Sequence, residues 1–329
     1  MKGSFVIQTN RFTGESDFEW KLRLCLAKLN RTLDLDWSEI VDVLGLDMTG
    51  DSLRKMAYGY KEYDEHVHRD TSVAERILCI SDTHVPYNLP VSTWKEYSDR
   101  VDTLVLNGDI QDCQSISKFS KQYRVPFIEE LVATRFFIQD LVGIIHPKKV
   151  YVVKGNHEAR LARYLSERLN DDVLTVMPDT PLDLMINDGF KHRDRRYGSE
   201  VWYEPLKDVF KAEGVDIEYT GNWYLKVGKT IFVHPLTFSG AMLKTSEKAM
   251  EYFLRVDRDF STLVMAHTHK LGSYTQGGIQ LYEEGCCCDT EKLNYGEGKL
   301  MIPAQKGFIY LCHDKDGNEI KNKTELVAL

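Results

Sequence analysis

Ile77-Leu78-Cys79-Ile80, followed at once by Ser81-Asp82-Thr83-His84, is the stretch on which the fold turns. Four apolar residues in a row, closed by a polar turn, read as a strand buried on both faces. Two metal-binding residue types stand directly beyond its end. The arrangement recurs along the chain: Thr103-Leu104-Val105-Leu106 leads into Gly108-Asp109-Ile110-Gln111-Asp112, and Val150-Tyr151-Val152-Val153 leads into Gly155-Asn156-His157-Glu158. Further on, the run 230–233 precedes His234, and the run 263–266 precedes His267 and His269. Helical segments such as residues 127–145 lie between the early runs. Strands that alternate with helices predict an α/β chain with parallel neighbours, whose site lies beyond the strand C-termini.

Working outward, residues 279–283 and 308–311 read as further strands with few helices between them, so the second half is β-rich and two packed sheets with outer helices are expected. Residues 158–228 read as an insertion or cap between the third and fourth ligand segments. It opens with a helix at 158–169 and carries a basic cluster, Lys191, His192, Arg193, Arg195 and Arg196, beside Tyr197, Trp202 and Tyr203. That cluster admits two readings: a surface that grips nucleic acid through charge and stacking, or an ordinary solvated surface. No internal repeat or low-complexity segment is visible.

Residues 1–72 read as a separate helical segment, and 73–329 as the main domain. Helices are predicted over 17–30, from Asp36 or Trp37 to Leu44, and from about residue 49 onward. Asp36 with Glu39 three residues on has the form of a capping box, and Gly45 closes that helix. Two short helices joined by a glycine-bearing turn resemble a helix-turn-helix. Charge speaks against DNA binding: residues 1–75 hold ten Lys/Arg against fourteen Asp/Glu, and only Arg54, Lys55 and Lys61 stand out on the third helix. Covering the core, or forming a homodimer through these helices, is the other use.

With 329 residues, 43% hydrophobic and 28% charged, the chain has the composition of a globular protein with room for a large core. A net charge of −8 excludes coating nucleic acid by bulk charge and leaves a local basic groove open. No apolar run is long enough to cross a membrane. The start of the chain shows no apolar signal core, and seven irregularly spaced Cys fit reduced thiols, so a cytoplasmic location is expected.

Taken singly, each ligand segment has an ordinary explanation, as a turn, a helix cap or a pair of surface imidazoles. Taken together they supply Asp82, His84, Asp109, Asn156, His234, His267 and His269 as candidate ligands. Hard oxygen and imidazole nitrogen without thiolate suit Mn, Fe, Zn or Ni, and two such ions are what phosphoester hydrolysis needs.

In these motifs, D-x-H, G-D-x-x-D, G-N-H-E, a lone His and a final H-x-H, the chain resembles the calcineurin-like metallophosphoesterase superfamily. The likeness spans residues 77 to about 290, with two departures: Val233 before His234, and Ala266 where glycine is usual. The resemblance implies a four-layer α/β/β/α sandwich of two packed mixed sheets flanked by helices. It implies one divalent ion on Asp82, His84 and His269, a second on Asn156, His234 and His267, and Asp109 bridging them; Mn²⁺ is favoured. It leaves His157 to donate to a phosphoryl or leaving-group oxygen, oriented by Asp112. Arg160 and Arg163, on the helix after His157, are expected either to contact the substrate phosphate together with Arg193, Arg195 and Arg196, or to be solvated. Cys286, Cys287 and Cys288 are read as small, partly buried residues. The N-terminal helices, the segment 155–160 and Glu284-Gly285-Cys286 further resemble bacteriophage-encoded members. The expected substrate is a phosphoester, favouring a phosphodiester in nucleic acid or a nucleotide. The alternatives are a phosphomonoesterase, disfavoured for the protein-phosphatase branch by Cys113 after Asp112, and a DNA-binding protein with a vestigial site.

Overall fold

The computed structural model describes residues 9–12, 15–29, 32–68, 72–118, 124–193, 198–293 and 303–329. The chain divides into two compact units, Met1–Ser72 and Val73–Leu329.

The first unit consists of α1 (Asp17–Leu29), α2 (Trp37–Leu44) and α3 (Gly50–His68). Asp36 caps α2 by accepting from the N–H groups of Ser38 and Glu39, while Glu39 takes the Asp36 N–H, so both halves of the capping box form. Gly45 then turns into the left-handed region and closes the helix. Leu24, Cys25, Ile40, Val41, Leu53 and Ala57 make a small core of their own.

Among the described residues the second unit carries thirteen strands: β1 (Glu75–Ile80), β2 (Thr103–Asn107), β3 (Lys149–Val153), β4 (Phe190–Arg193), β5 (Glu200–Tyr203), β6 (Asp216–Tyr219), β7 (Tyr224–Val227), β8 (Thr230–Val233), β9 (Thr262–Met265), β10 (Leu271–Gln276), β11 (Ile279–Glu284), β12 (Gly307–His313) and β13 (Glu325–Ala328). One mixed sheet runs β13-β12-β1-β2-β3-β6 and another β10-β11-β9-β8-β7, with β4 and β5 as a separate hairpin. Strands β1, β2, β3 and β6 are parallel, as are β8, β9 and β11.

Side-chain alternation along the strands sorts the core into layers. Ile77, Cys79, Val105 and Val153 face one way and meet Phe232, Val264 and Tyr282 of the other sheet. Leu78, Ile80, Leu104, Leu106, Val150 and Val152 face the opposite way, against Leu131, Ile138 and Leu141 of α4 (Phe127–Ile145). On the far sheet Ile231, Val233, Leu263 and Met265 pack on Ala249, Met250 and Phe253 of the helix Lys244–Val256. The result is helix, sheet, sheet, helix.

The span expected as an insertion, residues 158–228, is one only in part. Its helix is shorter than expected, α5 (Arg160–Ser166), and its last residues supply β6 and β7, the edge strands of the two sheets. Four-residue edge strands with polar outer positions carry a weak periodic signal, which is why their sequence reads as loop. Among the described residues no helix is long and apolar enough to cross a membrane.

Candidate metal centre

Parallel pairing brings the C-terminal ends of β1, β2, β3, β8 and β9 to one edge, and the residues just beyond them converge. The backbone there is forced. Asp82, His84, Asp109, His267 and His269 all adopt left-handed φ, between 46° and 72°. Non-glycine residues avoid that region, and runs of them at strand ends mark sites where position outweighs local comfort. Two glycines complete the turns. A Cβ on Gly155 would lie 2.2 Å from both the backbone N and Oδ1 of Asp109, and one on Gly108 (φ +81°) would lie 2.5 Å from Nδ1 of His234.

Two groups of donor atoms result. In the first, Asp82 Oδ1 lies 3.1 Å from His269 Nε2, which lies 3.2 Å from His84 Nε2. In the second, His234 Nε2 lies 3.2 Å from Asn156 Oδ1 and 3.3 Å from Asp109 Oδ1, with His267 completing the cluster. Metal–ligand bonds of about 2.0–2.2 Å set neighbouring donors roughly 3–3.5 Å apart, so these spacings suit divalent ions. His267 Nε2 is buried without a hydrogen-bond partner, which a metal would supply. The Nδ1–H of His234 donates to the Asn107 carbonyl at 2.7 Å and turns Nε2 toward the donor group, the nitrogen a metal would take on displacing its proton.

Electrostatics point the same way. Burial raises the carboxyl of Asp82, but His269 and His234 more than offset it and hold it well below the usual range. Burial pushes His234 down while Asp109 and Asp82 push it up, to about 10. His269 is likewise carried to about 9 against burial, by Asp82. His267, buried and beside His234, falls to about 3 and stays neutral. Carboxylates and protonated imidazoles thus interleave where cations would otherwise sit.

Beside these groups stands a third. His157 Nδ1 lies 3.0 Å from Asp112 Oδ1 and 2.9 Å from the Asp112 carbonyl, and the same carboxylate lies 3.4 Å from His84 Nδ1. Burial raises Asp112, yet hydrogen bonds from His157 and His84 hold it far below the usual carboxylate range. The imidazole of His157 lies 3.7 Å from Asp109 Oδ2 through Nε2.

Arg160 departs from one of its two expectations, that of a solvated helix face. It is 6% exposed, and its guanidinium donates to the Asp112 carbonyl at 2.7 Å and to His157 Nε2 at 2.6 Å. It braces His157 and the Asp112 backbone from within the fold. Arg163 is partly exposed on α5, and Arg193 is exposed on β4 with Lys191 of the same strand paired to Glu200. Arg195, Arg196 and Tyr197 lie outside the described residues.

Sequence reasoning missed Glu158. One carboxylate oxygen accepts from the N–H groups of Ile110 and Gln111, and the other from those of Asp109 and Gly155. A single buried side chain therefore binds the second ligand loop to the third. Burial and nearby Asp109 push its carboxyl up to about 7, and the four N–H donors are the counterweight that favours its ionised form. Its only signal in sequence is an acidic residue three positions after Gly155. Cys286, Cys287 and Cys288 are fully buried.

A family model described as calcineurin-like phosphoesterase matches residues 75–271. No curated protein matches the chain. Among solved structures, the chain is similar to Vacuolar Protein Sorting 29 from Cryptosporidium parvum, at 16% identity over 78% of this chain and 98% of that one, with a TM-score of 0.37. It is similar to a novel archaeal phosphodiesterase at 13% identity over 77% and 99%, with a TM-score of 0.37. A predicted phosphoesterase from Streptococcus pneumoniae matches at 11% identity over 78% and 98%, with a TM-score of 0.29.

Proposed function

This chain belongs to the calcineurin-like phosphoesterase family, and on that premise we propose that it is a dinuclear metal-dependent hydrolase of phosphodiesters in nucleic acid or nucleotides. The observation that carries the reading is the pair of buried donor groups, Asp82 with His84 and His269, and Asp109 with His234 and His267, set beside His157 and Asp112. In this reading Asp82, His84 and His269 hold one ion, Asn156, His234 and His267 hold the other, and Asp109 serves both. Two bound divalent ions supply Lewis acidity and a water activated near neutral pH.

The chain's own groups then do the rest. Asp112 fixes the His157 ring through Nδ1, and together with Asp109 it opposes the burial that lowers the imidazole below its usual range. Nε2 accepts from Arg160 in the metal-free chain, and in this reading it delivers a proton to the leaving oxygen once substrate has displaced that bond and the ring has been protonated. Arg160 holds the Asp112 carbonyl and meets His157 Nε2, placing a fixed positive charge where negative charge would grow on the substrate. Cys113, which follows Asp112, is fully buried and its thiol is pushed well above the usual range by burial, so it supplies neither a cation nor a nucleophile.

The test is hydrolysis of bis-p-nitrophenyl phosphate against p-nitrophenyl phosphate with added Mn²⁺, using the intact chain and His157→Ala. Faster diester cleavage that the variant loses supports the proposal. Monoester cleavage alone points to a phosphomonoesterase. No turnover on either by a metal-loaded chain would sink the hydrolase reading.

A further inference from the structure

Directly after His234, residues 236–242 turn three large apolar side chains to solvent: Leu236 is 63% exposed, Phe238 45% and Met242 40%. Exposed apolar side chains this close together in sequence make the loop a candidate contact surface. The loop is built into place. Lys270, 3% exposed and next to His269, donates to the carbonyls of Ser239, Gly240 and Ala241 at 2.9–3.0 Å. All three ammonium protons are thereby used on one loop. The Ser239 N–H adds a bond to Thr245 Oγ1 at 2.9 Å.

Phe238 is the member of this surface that reaches the centre. Its ring meets the His267 imidazole edge to face, with centroids 5.2 Å apart and planes at 80°. A phosphoester held beside His267 would carry its organic group within reach of that ring. Water-exposed aromatic surface at this place gains most from an aromatic partner, because rings attract beyond the area they bury.

We propose that Phe238, on a loop fixed by Lys270, is a specificity-determining residue that receives the nucleobase of a nucleotide ester whose phosphate lies on the metal centre. The assignment rests on the phosphoester reading above and narrows its substrate class to esters bearing an aromatic base.

The test measures binding, so it does not depend on turnover. Adenosine 5′-monophosphate and methyl phosphate share the same phosphate and differ in the nucleoside. Each is titrated into the Mn²⁺-loaded full chain carrying His157→Ala, alone or combined with Phe238→Ala or Phe238→Trp. Base–aromatic stacking predicts that the nucleotide binds about tenfold more tightly than methyl phosphate. Phe238→Ala should erase that advantage by weakening the nucleotide alone, and Phe238→Trp should keep it. Equal affinity for the two ligands, no affinity for either, or an advantage unchanged in Phe238→Ala overturns the assignment. A chain that shows the preference yet cleaves no diester would remove the hydrolase reading while leaving this one in place.

Discussion

Replacing Glu158 by Gln exchanges a carboxylate that only accepts for an amide with one donating end. Two of the four backbone N–H groups around it would then face a donor. Each unsatisfied buried group costs about 1–3 kcal/mol, so urea unfolding of the metal-free chain should show a loss of about 2–5 kcal/mol. An unchanged midpoint would show that Glu158 does not hold these loops. His157→Ala should lower turnover by roughly 10²–10⁴ while metal content stays the same. The seven ligand candidates and the His157–Asp112 pair were legible in the sequence because their residue types and strand-end positions recur. The roles of Glu158 and Arg160 were not, because each depends on a partner roughly 50 residues away in the chain, across a fold that local pattern does not describe.

At the scale of elements, the strand ends and their turns decide whether the ligands meet. Gly155→Ala should abolish metal uptake, since its Cβ has no room beside Asp109; circular dichroism should find the sheets intact, and a variant that still binds metal normally would contradict the tight turn. In α2, Asp36→Ala removes both bonds from its cap and should cost about 1 kcal/mol, read from the unfolding of the N-terminal helices. Both α2 and the central strands were legible from sequence, the first through its capping box and the second through unbroken apolar runs. The edge strands β6, β7, β10 and β13 were not, because one-sided burial over four to six residues leaves little period to detect. The third helix also reads differently in three dimensions. Arg54 and Lys55 both pair with Asp51, at 2.7 and 2.9 Å, so these two cations are shared with an acid on the same helix. That adds nothing to a DNA-binding role, and the net negative charge of the segment already weighed against one.

For the whole molecule, the donor set forms a reservoir of charge that metal must reorganise. In the metal-free chain His234 and His269 sit at about 10 and about 9, above neutral pH, so both carry a proton that an ion has to displace. Metal uptake near pH 7 should therefore release protons, and affinity should weaken as pH falls. Calorimetric titration in buffers of unlike ionisation enthalpy checks this, and an uptake heat independent of buffer would contradict it. All seven ligand candidates lie in the unit Val73–Leu329, which includes the 75–271 segment characteristic of the family. The most direct measurement is the stoichiometry of Mn²⁺ bound per chain, for the intact protein and for Asp109→Ala. The account predicts two ions per intact chain and a severe loss of binding when the shared carboxylate is removed. One ion or none in the intact protein, or two retained without Asp109, would contradict a dinuclear centre built on these residues.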